Sequence, residues 1–388
     1  MLILALVVGM TASGVASTLR VPDQRVIVKY SSPSRTEGPL VILRNSEIAS
    51  KSFRGAGTRS DPYILDAREI TSTGTCVYIE NTTAFFVLQG GEYSIEESGF
   101  LQYPVIILKG VHHGTIQNCH TNGGEFGIQL QNTEDCSIIN CITKDAHKGI
   151  FLDGANNCTA RDSVEFHNDI GISLGEATNS LIRNNTIYAN SQTGIDIDFY
   201  CQNNIIYQNR IGWNAYYNAF DDGQHTNFTN GQNLGNAWSD YGGSGNYTIT
   251  GNDESIDFHA TLLEDKVLPV ISHPDDRIID VESTEEYLKW ECTDEFPDTY
   301  TIFINDEMVT QGLWEGKEIS FRINQLPIGV QQIRLSATDA AGNSSYDVVV
   351  VTVMSYMLGG IGTQLVMIAS GVTVAVFLVI IIIIKKFL

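Results

Sequence analysis

Apolar residues recur along this chain at a fixed interval. Ile106, Ile128, Ile150 and Ile172 are each 22 positions apart, and so are Leu108, Leu130, Leu152 and Leu174. Ten residues after each Ile stands a second apolar column, Ile116, Ile138, Ala160 and Ile182. Two further on comes a polar one, Asn118, Asn140, Asp162 and Asn184. The first three units close on Gly127, Gly149 and Gly171. An earlier unit fits through Val77, Ile79, Val87 and Gln89, and a later one through Ile195, Ile197 and Ile206.

The Ile-x-Leu spacing has period two, which predicts strand rather than helix. A 22-residue unit holding such short strands returns on itself only as a coil of strands and turns. Coils stacked at about 4.8 Å place like side chains on one another and build a continuous apolar interior. The expected architecture is all-β: a right-handed parallel β-helix over residues 45–262. The Asn118, Asn140, Asp162 and Asn184 column is expected to face inward as an amide ladder, which would spare Asn184 from glycosylation.

The cysteines share the register, with Cys119 22 before Cys141 and Cys136 22 before Cys158. Two readings stay open: buried free thiols, or disulfides Cys119–Cys141 and Cys136–Cys158. Stacked side chains point the same way and reach a disulfide torsion with difficulty.

After Leu262 the pattern changes. Alternating runs at Tyr287–Cys292, Tyr300–Ile304, Ile319–Ile323, Val330–Ala337 and Tyr346–Val353, parted by turn residues, predict an antiparallel β-sandwich over 268–353. Thr338-Asp-Ala-Ala-Gly-Asn343 resembles the closing hairpin of immunoglobulin-like domains on prokaryotic surfaces, and a stalk is the simplest role for such a module.

The two ends set the compartment. Residues 1–17 read as a signal peptide: an apolar run closing on small residues, too short to span a bilayer. From Met357 to Ile384 no charge appears over 28 positions, and Lys385 and Lys386 follow. A spanning helix needs about 20. The expectation is one transmembrane helix over 357–384, a cytoplasmic tail over 385–388, and everything before it extracellular. Sequons at Asn81, Asn157, Asn227, Asn246 and Asn343 suit that exterior as candidate glycosylation sites.

Charge narrows the partners. The chain has 23 basic and 45 acidic residues, a formal net charge of -22. That argues against nucleic acid, whose phosphates need clustered Lys and Arg.

Phe53-Arg-Gly-Ala-Gly-Thr-Arg-Ser-Asp-Pro-Tyr63 resembles the Gly-x-Gly-Thr-x-x-Asp-Pro-Tyr opening segment of NosD-type periplasmic β-helix proteins, widespread on archaeal surfaces. Asn218-Ala-Phe-Asp-Asp-Gly223 and Gly235-Asn-Ala-Trp-Ser-Asp-Tyr241 resemble that family's closing segment. The resemblance implies copper handling as one function, with copper or calcium as cofactor. Soft copper sites want Met, Cys or close His, and no metal-ligand set is legible here. The aromatics Trp213, Tyr216, Tyr217, Trp238 and Tyr241 are expected to cap the last coil.

Alternation also says which residues face out of the long sheet. One column reads Ile107, Gln129, Phe151, Ser173, Asp196; the next reads Lys109, Gln131, Asp153, Gly175, Asp198. Asp153, Asp196 and Asp198 thus share a face. Asp153 and Asp198 sit two coils apart, about 10 Å between Cα atoms. That suits an inverting polysaccharide hydrolase in which these three aspartates are the candidate catalytic carboxylates. The favoured expectation is a glycan-binding or structural surface module, with Gln129, Gln131 and Phe151 as ligand contacts.

Overall fold

A computed structural model describes residues 38–66, 68–96 and 102–355. The expected signal peptide, membrane helix and cytoplasmic tail lie outside the described residues.

The repeat folds as a parallel β-helix with three sheets of eight, seven and nine strands. The first sheet, which has the longest strands, runs from Leu40–Ile42 through Pro104–Lys109, Phe126–Gln131, Lys148–Asp153, Ile170–Gly175 and Thr193–Ile197 to Tyr217–Asp221. Its register pairs Ile106, Ile128, Ile150, Ile172 and Ile195 in order. These isoleucines, and the Leu108–Leu174 column beside them, are wholly buried. Each contributes roughly 2 kcal/mol by leaving water. In the second sheet Ile116, Ile138, Ala160 and Ile182 stack as expected. The earliest unit is offset by one: Leu88, not Val87, pairs with Ile116 and is buried. The reason is the period of two, which turns Val87 outward once Phe86 packs in.

Each coil bends at residues in the left-handed region. Between the second and third sheets these are Asn118, Asn140, Asp162, Asn184 and Gln208, with φ of 56, 50, 58, 58 and 56°. Asn and Asp tolerate this backbone better than other side-chain-bearing residues. Asn140 Nδ2 donates to Asn118 Oδ1 at 2.7 Å, and Asn184 Nδ2 donates to Asp162. These residues therefore stack, but at a solvent-facing corner, and the expectation that they face inward is corrected. The buried ladder lies one residue on, in Ser163, Asn185, Asn209 and Asn236. Each side-chain oxygen there accepts the backbone N–H one coil below, Asn185 Oδ1 from Ser163 N and Asn209 Oδ1 from Asn185 N, both at 3.0 Å. Asn168, Asn190 and Asn214 repeat the device at another corner. A residue in the left-handed region turns the chain, so its successor points inward.

Glycine closes four successive coils, at Gly127, Gly149, Gly171 and Gly194, because space is lacking. A Cβ on Gly149 would lie 2.6 Å from the Gly171 carbonyl oxygen, and one on Gly127 would lie 2.6 Å from that of Gly149.

Both mouths are covered. At the N-terminal end helix Asn45–Lys51 buries Ile48. At the other end Trp238 is wholly buried, stacked on Tyr247 at 4.3 Å, and donates from Nε1 to Asp257. The expected aromatic cap divides. Trp238 and Tyr241 cap, Trp213 packs elsewhere, and Tyr216 and Tyr217 are exposed.

The second domain is a β-sandwich with its own core, including Trp290, Trp314, Ile333 and Val351. Arg277–Asp280 and Glu307–Leu313 add strands that the alternation does not announce. The domain docks on the outer face of the third sheet. Phe296, wholly buried, meets Tyr188 at 5.3 Å and Trp213 at 4.8 Å, with the Arg210 guanidinium over its ring. Lys144–Glu315 and Arg210–Glu295 ion pairs and a His167–Asp298 hydrogen bond surround this contact.

Candidate functional site

The outer face of the long sheet brings the expected residues together. The register stacks Ile107, Gln129, Phe151, Ser173, Asp196 and Phe220 in one column and Lys109, Gln131, Asp153 and Gly175 in the next. Asp198 follows directly on the strand Thr193–Ile197.

Asp153 is held by two amides. Gln129 Nε2 and Gln131 Nε2 donate to its Oδ2 at 3.1 and 3.0 Å. Asp198 serves the turn after its strand: its Oδ1 accepts the Tyr200 N–H at 2.9 Å and the Glu176 N–H at 3.3 Å. Asp196 differs. Burial pushes its carboxyl up, Lys148 opposes that, and the charges of Asp198 and Asp222 add to it.

Four groups on this face escape the sequence reading. Lys148 Nζ sits 4.0 Å from the Phe151 ring centre and donates to Ser173 Oγ at 3.1 Å. Phe126 packs on Phe151 at 4.9 Å, and Tyr217 on Phe220 at 5.5 Å. Phe126, Lys148, Ile170, Thr193 and Tyr217 form a third registered column. The 22-residue spacing of Phe126 and Lys148 could have revealed it, but Gly127 and Ile128 both face inward and break the alternation that marks outward positions.

All seven cysteines are free and buried, so neither Cys119–Cys141 nor Cys136–Cys158 is bridged. Like-directed side chains on adjacent coils account for that. Burial raises the Cys119 thiol well above its ordinary value. Among the glycosylation candidates, Asn81, Asn157, Asn227 and Asn246 are exposed. Asn343 is half-buried, and its Nδ2 donates to Asp339 Oδ2 and the Asp265 carbonyl. Asn184 is half-buried at its corner, not interior.

Among the described residues one group of three His, Cys or carboxylate side chains has its ligand atoms within 4.8 Å of one another: Asp265, Asp294 and Asp339. It lies where the linker meets the sandwich. Burial first, then Asp265 and Asp339, push the Asp294 carboxyl up to about 6.

The description "Periplasmic copper-binding protein (NosD)" matches residues 56–253, half of the chain and nearly all of its coils. The chain belongs to the NosD family. No curated protein matches it significantly. Among solved structures it is similar to the Dettilon tailspike protein, at 12% identity and a TM-score of 0.30, over 71% of this chain and 70% of that one.

The family's name raises copper, and the residues present do not fit it. Copper sites draw on thiolate, thioether or imidazole donors. Here the stacked thiols are buried, and the histidines of the coils pair singly with acids. His112 meets Glu134 at 3.2 Å, His120 meets Glu92 at 2.9 Å and His147 meets Asp169 at 2.9 Å. Among the described residues the one close group of donors offers carboxylate oxygens only.

Proposed function

We propose that this NosD-family chain is a cell-surface glycan-binding module, carried on a single C-terminal membrane span with its folded domains outside. The observation that carries the reading is the outer face of the long sheet. Phe126, Phe151, Tyr217 and Phe220 place rings there on registered columns among Gln131, Asp153 and Asp196, with Gln129 and Ser173 buried beside Phe151. Ring faces stack on the apolar faces of sugars, and side-chain amides and carboxylates meet hydroxyl groups. A sheet of stacked coils repeats such contacts at about 4.8 Å, which suits an extended chain more than a compact ligand.

The acid pairings favour binding over hydrolysis. An inverting hydrolase needs one protonated and one ionised carboxyl facing a bond. Asp153 is engaged by two glutamine amides and Asp198 by turn N–H groups, so neither projects unpaired. Anchoring rests on the charge-free run at 357–384 followed by Lys385 and Lys386.

The test is a glycan-array screen of the full-length chain in detergent, with mass spectrometry of each bound sugar afterwards. Retention of intact glycans is the expected result. Release of reducing ends by the wild type, absent with Asp198→Asn, would convert the binder into a hydrolase. Silence across the array would overturn glycan binding.

A further inference from the structure

Resting on the membrane anchor of that reading, we propose that the end of the sandwich farthest from the β-helix seats in the bilayer surface, through an apolar rim that takes lipid with uncharged or zwitterionic headgroups. The two ends of the sandwich differ. Strand Gly329–Asp339 runs the length of the domain, about 33 Å at strand rise. Just past its Asp339 end the Ala340 N–H donates to the Phe296 carbonyl at 2.8 Å, and Phe296 is buried against the β-helix. At its Gly329 end large apolar side chains stand in solvent. Gly329 pairs with Val353, and Ile328 just before it is 62% exposed. Val281 is also exposed, and its N–H donates to the Met354 carbonyl at 2.7 Å. Ile278 and Val330 flank Thr352 in register, one on each side, and are 68% and 42% exposed. Neighbouring strands lie about 4.8 Å apart, so these four side chains form one patch rather than scattered surface residues.

The course of the chain names the occupant. Strand Ser344–Met354 ends beside Val281 and Ile328, and the charge-free run at 357–384 opens three positions later. From Val348 to Ile384 the sequence carries no charge, so no charged linker separates the rim from the span. A chain entering the bilayer there brings the rim to the headgroup layer, where apolar side chains bury against acyl chains while polar groups beside them stay wet. The same end selects the headgroup. Asp280, Glu282, Glu285 and Glu286 outnumber Arg277 and Arg322 there, and Arg322 donates to the Thr284 carbonyl at 3.0 Å. Anionic headgroups would meet like charge, whereas uncharged or zwitterionic ones would not.

The experiment introduces single thiols by Ile328→Cys, Val281→Cys and Tyr346→Cys in the full-length protein, which is reconstituted into phosphatidylcholine vesicles. All seven native cysteines are buried, so a fluorescent label reaches the introduced thiol alone. Tyr346 is the control, 69% exposed but near the far end of strand Ser344–Met354. Each variant is checked for an unchanged melting temperature. A nitroxide carried on lipid should quench the labels at Ile328 and Val281 at least about threefold more than the label at Tyr346, which aqueous iodide should reach instead. The difference should shrink as phosphatidylglycerol replaces phosphatidylcholine. Failure to float with the vesicles would remove the anchor and this inference together. Flotation with all three labels open to iodide would overturn this inference and leave the anchor standing. Shielding of Ile328 and Val281 from both quenchers would mean that a second copy of the protein covers the rim, and would overturn it too. Lipid quenching that grows with phosphatidylglycerol would overturn the headgroup assignment.

Discussion

His167 Nε2, just after the third-sheet strand Val164–Phe166, lies 3.1 Å from Asp298 Oδ1 of the sandwich, and the His167 side chain is almost fully buried. The two residues are 131 positions apart, so the pair joins two separately cored domains. Beside it Phe166 stacks on Tyr188 at 5.3 Å, and Phe296 closes the cluster from the sandwich side. The sandwich thus covers the third sheet around Lys144, Tyr188 and Arg210.

Phe296 is the test of that union. Replacing it with Ala removes the ring that Tyr188, Trp213 and Arg210 enclose, at a cost of about 3–5 kcal/mol. Calorimetry should show one cooperative transition in the wild type and two in Phe296→Ala, because each domain keeps its own core. A single, unshifted transition in the variant would mean that the aromatic contact does not couple the domains.

The two asparagine columns should respond oppositely. Asn209→Leu leaves the Asn185 N–H and the Ile182 carbonyl without their side-chain partners, costing about 3 kcal/mol. Asn140 sits at φ 50° on an exposed corner, where Gly adopts the backbone readily. Asn140→Gly should shift the denaturation midpoint little. Comparable losses from both changes would contradict the placement of the dry ladder.

The period of 22 made the coils legible because identical side chains must stack when strands pair in parallel. It did not tell the corner from the interior. Asn118 and Cys119 are adjacent, and only the left-handed φ at Asn118 decides which of them turns in. Likewise the Asp153, Asp196 and Asp198 face followed from alternation, whereas Lys148 and Phe126 precede the glycines Gly149 and Gly127, where alternation fails. The docked sandwich left no trace, since Phe166, Tyr188 and Phe296 become neighbours only through tertiary contact. The Asp265, Asp294 and Asp339 group arises in the same way, from three segments that share no spacing rule.

Gly149→Ala probes the tightness of the coil. Its Cβ would meet the Gly171 carbonyl oxygen at 2.6 Å and Thr143 Oγ1 at 2.5 Å, and backbone cannot step aside as a flexible side chain does. Overpacking of this kind costs about 1–3 kcal/mol. Gly242→Ala has open space around it and should be neutral. Urea denaturation of both variants checks the contrast, and equal midpoints would refute it.

Asp294 gives the molecule a pH dependence of definite sign. Its carboxyl is pushed up to about 6 by burial and by Asp265 and Asp339, while the Phe296 N–H opposes the shift. In the unfolded chain an aspartate titrates at about 4. A folded value above the unfolded one means that the folded state binds the proton more tightly. The stability this contributes is complete below about pH 4 and is lost as pH rises through about 6. Asp294→Asn removes the charge and keeps an oxygen to accept the Phe296 N–H at its present 2.8 Å. With a chelator present to hold off divalent cations, the variant should melt above wild type at pH 7–8, and the two should converge near pH 4. Parallel melting curves across that range, with no change in the gap, would show that Asp294 is already ionised without cost at neutral pH.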